Sequence, residues 1–76
     1  MLIVSQDRKT LVNINSAGQI YTDNSIGHEK PHIYCDFGDG RTATLGAYES
    51  EKRCIEVLED ICGYYTAEGI FKMPEA

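Results

Sequence analysis

The sequence contains no tryptophan, only two prolines and no apolar run longer than Met1-Leu2-Ile3-Val4. That run is far short of the roughly 20 residues of a membrane-spanning helix, and too short for the apolar stretch of a signal peptide. A cytoplasmic protein without a membrane partner is therefore expected. No low-complexity tract, internal repeat or long linker divides the chain, so residues 1–76 read as a single domain. Clustered cations are missing as well. Seven Lys and Arg, scattered along the chain, face twelve Asp and Glu for a net charge of −5. Extended nucleic acid is thereby excluded as a partner, because phosphate neutralisation needs cations in clusters. A small nucleotide is not, since two or three donors in a pocket suffice whatever the overall charge.

Cysteine is scarce and odd in number: Cys35, Cys54 and Cys62 leave one thiol over in any pairing scheme. If Cys54 and Cys62 share a helix they stand about 12 Å apart, beyond the ~7 Å limit for a disulfide. There is no Cys-x-x-Cys, and His28 and His32, at i and i+4, flank Pro31, which blocks the helical face that joins two imidazoles. His32 with Cys35 is the residual metal candidate, and neither a metal nor a cofactor is expected. A chain this short buries only roughly 60% of its unfolded surface. With disulfides and metal set aside, self-association into a homo-oligomer is the expected source of further stability.

What is present is a clear alternation of elements. Leu2 to Gln6 and Thr10 to Asn15 read as strands joined by the polar Asp7-Arg8-Lys9 turn. Gln19 to Thr22 forms a third short strand, and Asp23 to Pro31 an irregular segment with loop-forming residues and a plausible binding role. His32 to Phe37 and Thr42 to Tyr48 alternate around Asp39-Gly40, a hairpin signal because a tight turn there needs positive φ. Ser50 is placed to cap a helix, with Glu51 in its first turn. Cys54, Leu58, Ile61, Cys62 and Tyr65 follow as an apolar stripe widened by Ile55 and Val57. Thr66 to Gly69 closes that helix, and Ile70 to Met73 is a last strand ended by Pro74. The expected fold is α+β: an antiparallel sheet of about five or six strands with one amphipathic helix packed on one face. Its core is expected to set the helical stripe against Ile3, Leu11, Ile33 or Phe37, and Leu45.

Catalytic signatures are weak. Asp36-Phe37-Gly38 matches the magnesium-binding triplet of protein kinases, but the glycine-rich loop, strand lysine and catalytic loop it works with are missing. Gly38-x-Gly40 leads into a strand rather than a helix, so it offers no phosphate cradle. Cys54 and Cys62 on the helical stripe, and Cys35 on a face shared with Ile33 and Phe37, read as packed thiols. No enzyme is expected.

Ile3 to Asn13, Leu45 to Arg53 and Phe71-Lys72-Met73-Pro74 together resemble small proteins of about this length in Firmicutes genomes, prophages and mobile elements. The stretch from Gly18 to Pro31 departs from that pattern. The resemblance implies a bacterial or phage cytoplasmic protein and carries no activity with it. In size, and in the oligomeric habit expected of it, the chain is also similar to phage anti-defence proteins that sequester nucleotide signals.

One polar constellation stands out, namely His32, Tyr34 and Asp36 on the opposite face of their strand from Cys35. A solvated sheet surface accounts for the same alternation. As a site, Tyr34 and His32 stack a base beside Arg41, and Arg8 and Lys9 supply a second cationic edge. The ligand-binding candidates are thus Arg8, Lys9, His32, Tyr34 and Arg41. The competing class is a protein–protein module with a patch of Tyr64, Tyr65, Ile70 and Phe71 presented to a host or phage protein.

Overall fold

The computed structural model describes residues 1–23, 30–65 and 68–76. The fold is α+β, and the described residues form six strands and one α-helix in the order β1 (Leu2–Val4), β2 (Leu11–Asn13), β3 (Gln19–Asp23), β4 (His32–Asp36), β5 (Thr42–Ala47), α1 (Glu51–Tyr64) and β6 (Ile70–Lys72). A 3₁₀ turn, Ile14–Ser16, ends the second strand early, its Asn13 side chain accepting from the Asn15 N–H. His28 and most of the irregular Asp23 to Pro31 segment lie outside the described residues, as does Thr66 beyond the helix.

The strands form two sheets rather than the expected one. In the first, β1 is central, antiparallel to β2 and parallel to β6; the second is an antiparallel β3-β4-β5 meander. Parallel neighbours need a long crossover, and here the whole second sheet and the helix serve as that connection between β1 and β6. Alternation along six short strands specifies which face each buries, not which strands are neighbours.

The β1–β2 turn is held by its own side chains. The Ser5 hydroxyl, 2% exposed, donates to Asp7 Oδ1 (2.6 Å) and accepts from the Thr10 N–H (3.0 Å), while Asp7 Oδ1 also accepts from the Lys9 N–H (3.0 Å). The Ser5 hydroxyl, then the Lys9 N–H, hold the Asp7 carboxyl below its usual range. Arg8 sits at φ +64°, an uncommon conformation for a residue with a side chain, and its N–H donates to Ser5 O.

In β5 the register with β4 shifts by one residue, so that Ile33 faces Gly46 and Tyr34 faces Thr44. The extra residue, Leu45, changes the phase of the alternation and lets Tyr48 turn inward. Tyr48 is 1% exposed and its hydroxyl donates to Pro74 O at 2.8 Å. Burial pushes this phenol up to about 12. Gly46 packs beneath it: a Cβ there would meet the Tyr48 ring and Gln6 Cβ at 3.1 Å, so both would have to give by a few tenths of an ångström.

Gln6 joins the two sheets. Its backbone N–H donates to Leu45 O (2.8 Å), its Oε1 accepts from the Ala47 N–H (2.8 Å), and its Nε2 donates to Ala47 O (2.9 Å) and Glu75 O (3.0 Å). One side chain thus does for the β5 edge what a neighbouring strand would do. The core gathers Met1, Ile3 and Val12 from the first sheet side, Ile33, Cys35 and Leu45 from the second, then Tyr48, Met73 and the helical Cys54, Val57 and Ile61.

The helix begins where its cap residue predicts, Ser50 Oγ accepting from the Arg53 N–H. Its buried face differs from the expected stripe. Val57 is buried, Leu58 partly so, and Cys62 is exposed. At 3.6 residues per turn, the Cys54-Val57-Ile61 line lies about 50° around the helix from the predicted centre. Tyr65 is the C-cap, 53% exposed, with its hydroxyl on Asn15 Oδ1. Leu11 is likewise displaced by its neighbour: Val12 pairs with Ile3 and enters the core, while Leu11 is 60% exposed.

Candidate functional site

The outer face of the second sheet carries a row of rings. Tyr21 in β3 stands directly opposite Tyr34 in β4, centroids 5.6 Å apart, and His32, two residues along the same face, stacks on Tyr34 at 5.8 Å and 13° between planes. All three are partly buried. His32 Nδ1 lies 2.8 Å from Lys30 O. A carbonyl only accepts, so Nδ1 is the donor in this contact.

Beside His32 lies a small depression of about 160 Å³ that Thr44 also lines. It shares Gln6 and Ala47 as a wall with an open cleft of about 830 Å³, within the size range of small-molecule sites. Three cations, Lys30, Lys52 and Arg53, and three carboxylates, Glu49, Glu56 and Glu75, line this cleft. Arg53 is the best anchored of them. Its guanidinium donates to Ala76 O at 3.0 and 3.3 Å, lies 3.6 Å from Glu56 and sits 5.9 Å over the Tyr48 ring.

The structure brings together two of the five candidate residues, Tyr34 and His32. Arg41 belongs to the β4–β5 turn, 75% exposed, paired with Asp39 at 2.8 Å and 5.4 Å above Phe37. Three residue steps along the chain, about 10 Å, separate it from Thr44, the partner of Tyr34. Arg41 also holds Asp39 below the usual carboxylate range, through its backbone N–H first and its side chain second. Arg8 points back into the fold: its guanidinium donates to Met73 O at 2.9 Å and to Ser5 O at 3.4 Å, closing the first turn onto the C-terminal segment. Lys9 is exposed in that same turn.

Sequence reasoning missed Tyr21 in the ring row, and Lys30, Lys52 and Arg53 as residues lining the cleft. The alternation of Tyr21 with Ile20 was a readable signal for the first; the others depend on how the sheets meet and leave no local trace. His32 and Cys35 occupy opposite faces of β4, so they cannot share a metal. Among the described residues no three His, Cys, Asp or Glu side chains converge. Burial, then the neighbouring Asp36, pushes the Cys35 thiol up, which disfavours the thiolate a nucleophile needs. Cys54 is buried with its thiol directed at Pro31 O.

Among the described residues no helix is long and apolar enough to cross a membrane. No family model, curated protein or solved structure matches the chain.

Proposed function

We propose that this chain is a non-enzymatic binding protein of the bacterial or prophage-bearing cytoplasm, working as a homo-oligomer, that sequesters a small nucleotide. The anti-defence role fits a protein that removes a nucleotide signal without altering it. The observation that carries the reading is the Tyr21-Tyr34-His32 row beside a cleft containing Lys30, Lys52 and Arg53. A base stacks on sheet-borne aromatic rings for about 1 to 3 kcal/mol in other single-strand and nucleotide sites. Lys30 and Lys52 then neutralise phosphate across the Gln6–Ala47 wall, in place of the Arg8, Lys9 and Arg41 read from the sequence.

The balance of three cations against three carboxylates in the cleft favours a ligand of low charge, a mono- or cyclic nucleotide over a triphosphate. Calorimetric titration with linear and cyclic mono- and dinucleotides tests this. Saturable binding by at least one of them, weakened about tenfold or more in Tyr34→Ala and less in Lys52→Ala, is expected. Absence of binding across the panel, or binding indifferent to Tyr34→Ala, overturns it.

The second reading, a module acting on a host or phage protein, draws on a different surface. Tyr64, Tyr65 and Ile70 are all exposed near the β6 end, while Phe71 is partly buried against the core with its ring 5.6 Å from Tyr64.

A further inference from the structure

We propose that two copies of this chain associate through the outer face of the first sheet. This surface is separate from the ring-bearing face of the second sheet, so the inference stands or falls independently of the nucleotide reading. The register of β2, β1 and β6 sets Val12, Ile3 and Phe71 on the core side. Leu2, Val4, Leu11, Asn13, Ile70 and Lys72 therefore share the opposite side. Four of these six are aliphatic, and the two at the flanks, Leu11 and Ile70, are 60% and 51% exposed. Solvated sheet faces alternate with polar side chains; this one does not.

Charge identifies the occupant as a second copy. The chain carries −5 overall, so most surfaces of one copy repel another. Helix α1 exposes Glu51, Glu56, Glu59 and Asp60, and the outer side of the second sheet includes Asp23 and Asp36. The first sheet contains no carboxylate in any of its three strands. It is the strand surface on which two such chains meet without opposing acids. A standard interface takes about 800 Å² from each partner. Against a total surface of 4905 Å² that is about a sixth of the molecule. The aliphatic face supplies the centre of such a contact, and Asn13 and Lys72 a polar rim.

Sedimentation velocity across a wide concentration range tests the assignment. The wild-type chain is expected to pass from 8.5 kDa to twice that mass as concentration rises. Added salt strengthens the association by screening the net charge. Leu11→Glu and Ile70→Glu are each expected to raise the dissociation constant about tenfold or more. Ile55→Glu, the same change at an exposed aliphatic position of the helix, leaves it unaltered. Circular dichroism on each variant separates lost association from lost fold. A wild-type chain that stays monomeric throughout, or a dimer broken by Ile55→Glu but not by Leu11→Glu and Ile70→Glu, overturns the proposal.

Discussion

Replacing Gln6 with alanine should loosen the junction between the two sheets more than any other exposed or half-exposed change. The substitution removes three side-chain hydrogen bonds, two to the backbone of Ala47 and one to Glu75 O, and leaves the backbone bond from Gln6 to Leu45 O in place. At about 0.5 to 1.5 kcal/mol per bond, discounted where water reaches the freed groups, the loss is about 2 to 3 kcal/mol. A 76-residue domain has about 4 to 11 kcal/mol in total at 0.05 to 0.15 kcal/mol per residue, so the denaturation midpoint in urea should fall visibly. Gln6→Glu sharpens the test. A carboxylate keeps the acceptor for the Ala47 N–H but turns a negative oxygen toward two carbonyls, which raises its folded pKa above the unfolded value of about 4.3. Stability is then highest below the unfolded pKa, where the acid O–H still donates to one of the two carbonyls, and falls as pH rises through the folded pKa. Circular dichroism with urea at acid and neutral pH reads both variants. A Gln6→Ala protein within about 0.5 kcal/mol of wild type, the range of ordinary surface changes, would refute the clamp.

Other outcomes follow from the same geometry. Arg8→Ala should lower stability by about 1 to 3 kcal/mol in chemical denaturation, from the lost charged hydrogen bonds to Met73 O and Ser5 O, while leaving nucleotide affinity unchanged. For Tyr48 the folded pKa of about 12 lies above the ordinary phenol value near 10. Its contribution is therefore complete below pH 10 and is lost towards pH 12, about 2 kcal/mol, a fall that should be absent in Tyr48→Phe when melting is followed against pH. Native protein should react with one equivalent of a thiol reagent, at Cys62, and with three only after unfolding; rapid native labelling of Cys35 or Cys54 would contradict the core.

Much of the fold is legible in the residues. The β-branched and aromatic runs mark all six strands, Asp39-Gly40 marks the β4–β5 turn, where Gly38 and Gly40 take positive φ, and Ser50 marks the helix start. The division into two sheets is not, because neighbour choice is decided by contacts between residues far apart in sequence, such as Gln6 with Ala47 and Met73 with Val4. The helix stripe is legible to about 50° around the axis: Cys54 and Ile61 are common to the expected and observed faces, but Val57 rather than Cys62 completes the buried one. At the candidate site Tyr34 and His32 are readable from alternation, since both share a face opposite Cys35. The cations are not. Arg8, Lys9 and Arg41 lie in turns, where a side chain's direction is set by the local backbone and by partners such as Met73 O and Asp39.

The measurement that tests the central claim most directly is amide and ring-proton NMR of the wild-type chain during titration with the nucleotide that binds best in calorimetry. The account predicts the largest shifts at Tyr21, His32 and Tyr34, with smaller ones at Lys30, Lys52 and Ala47 along the adjoining cleft. Shifts centred instead on Leu11 and Ile70, or on the Arg8 and Arg41 turns, would contradict it.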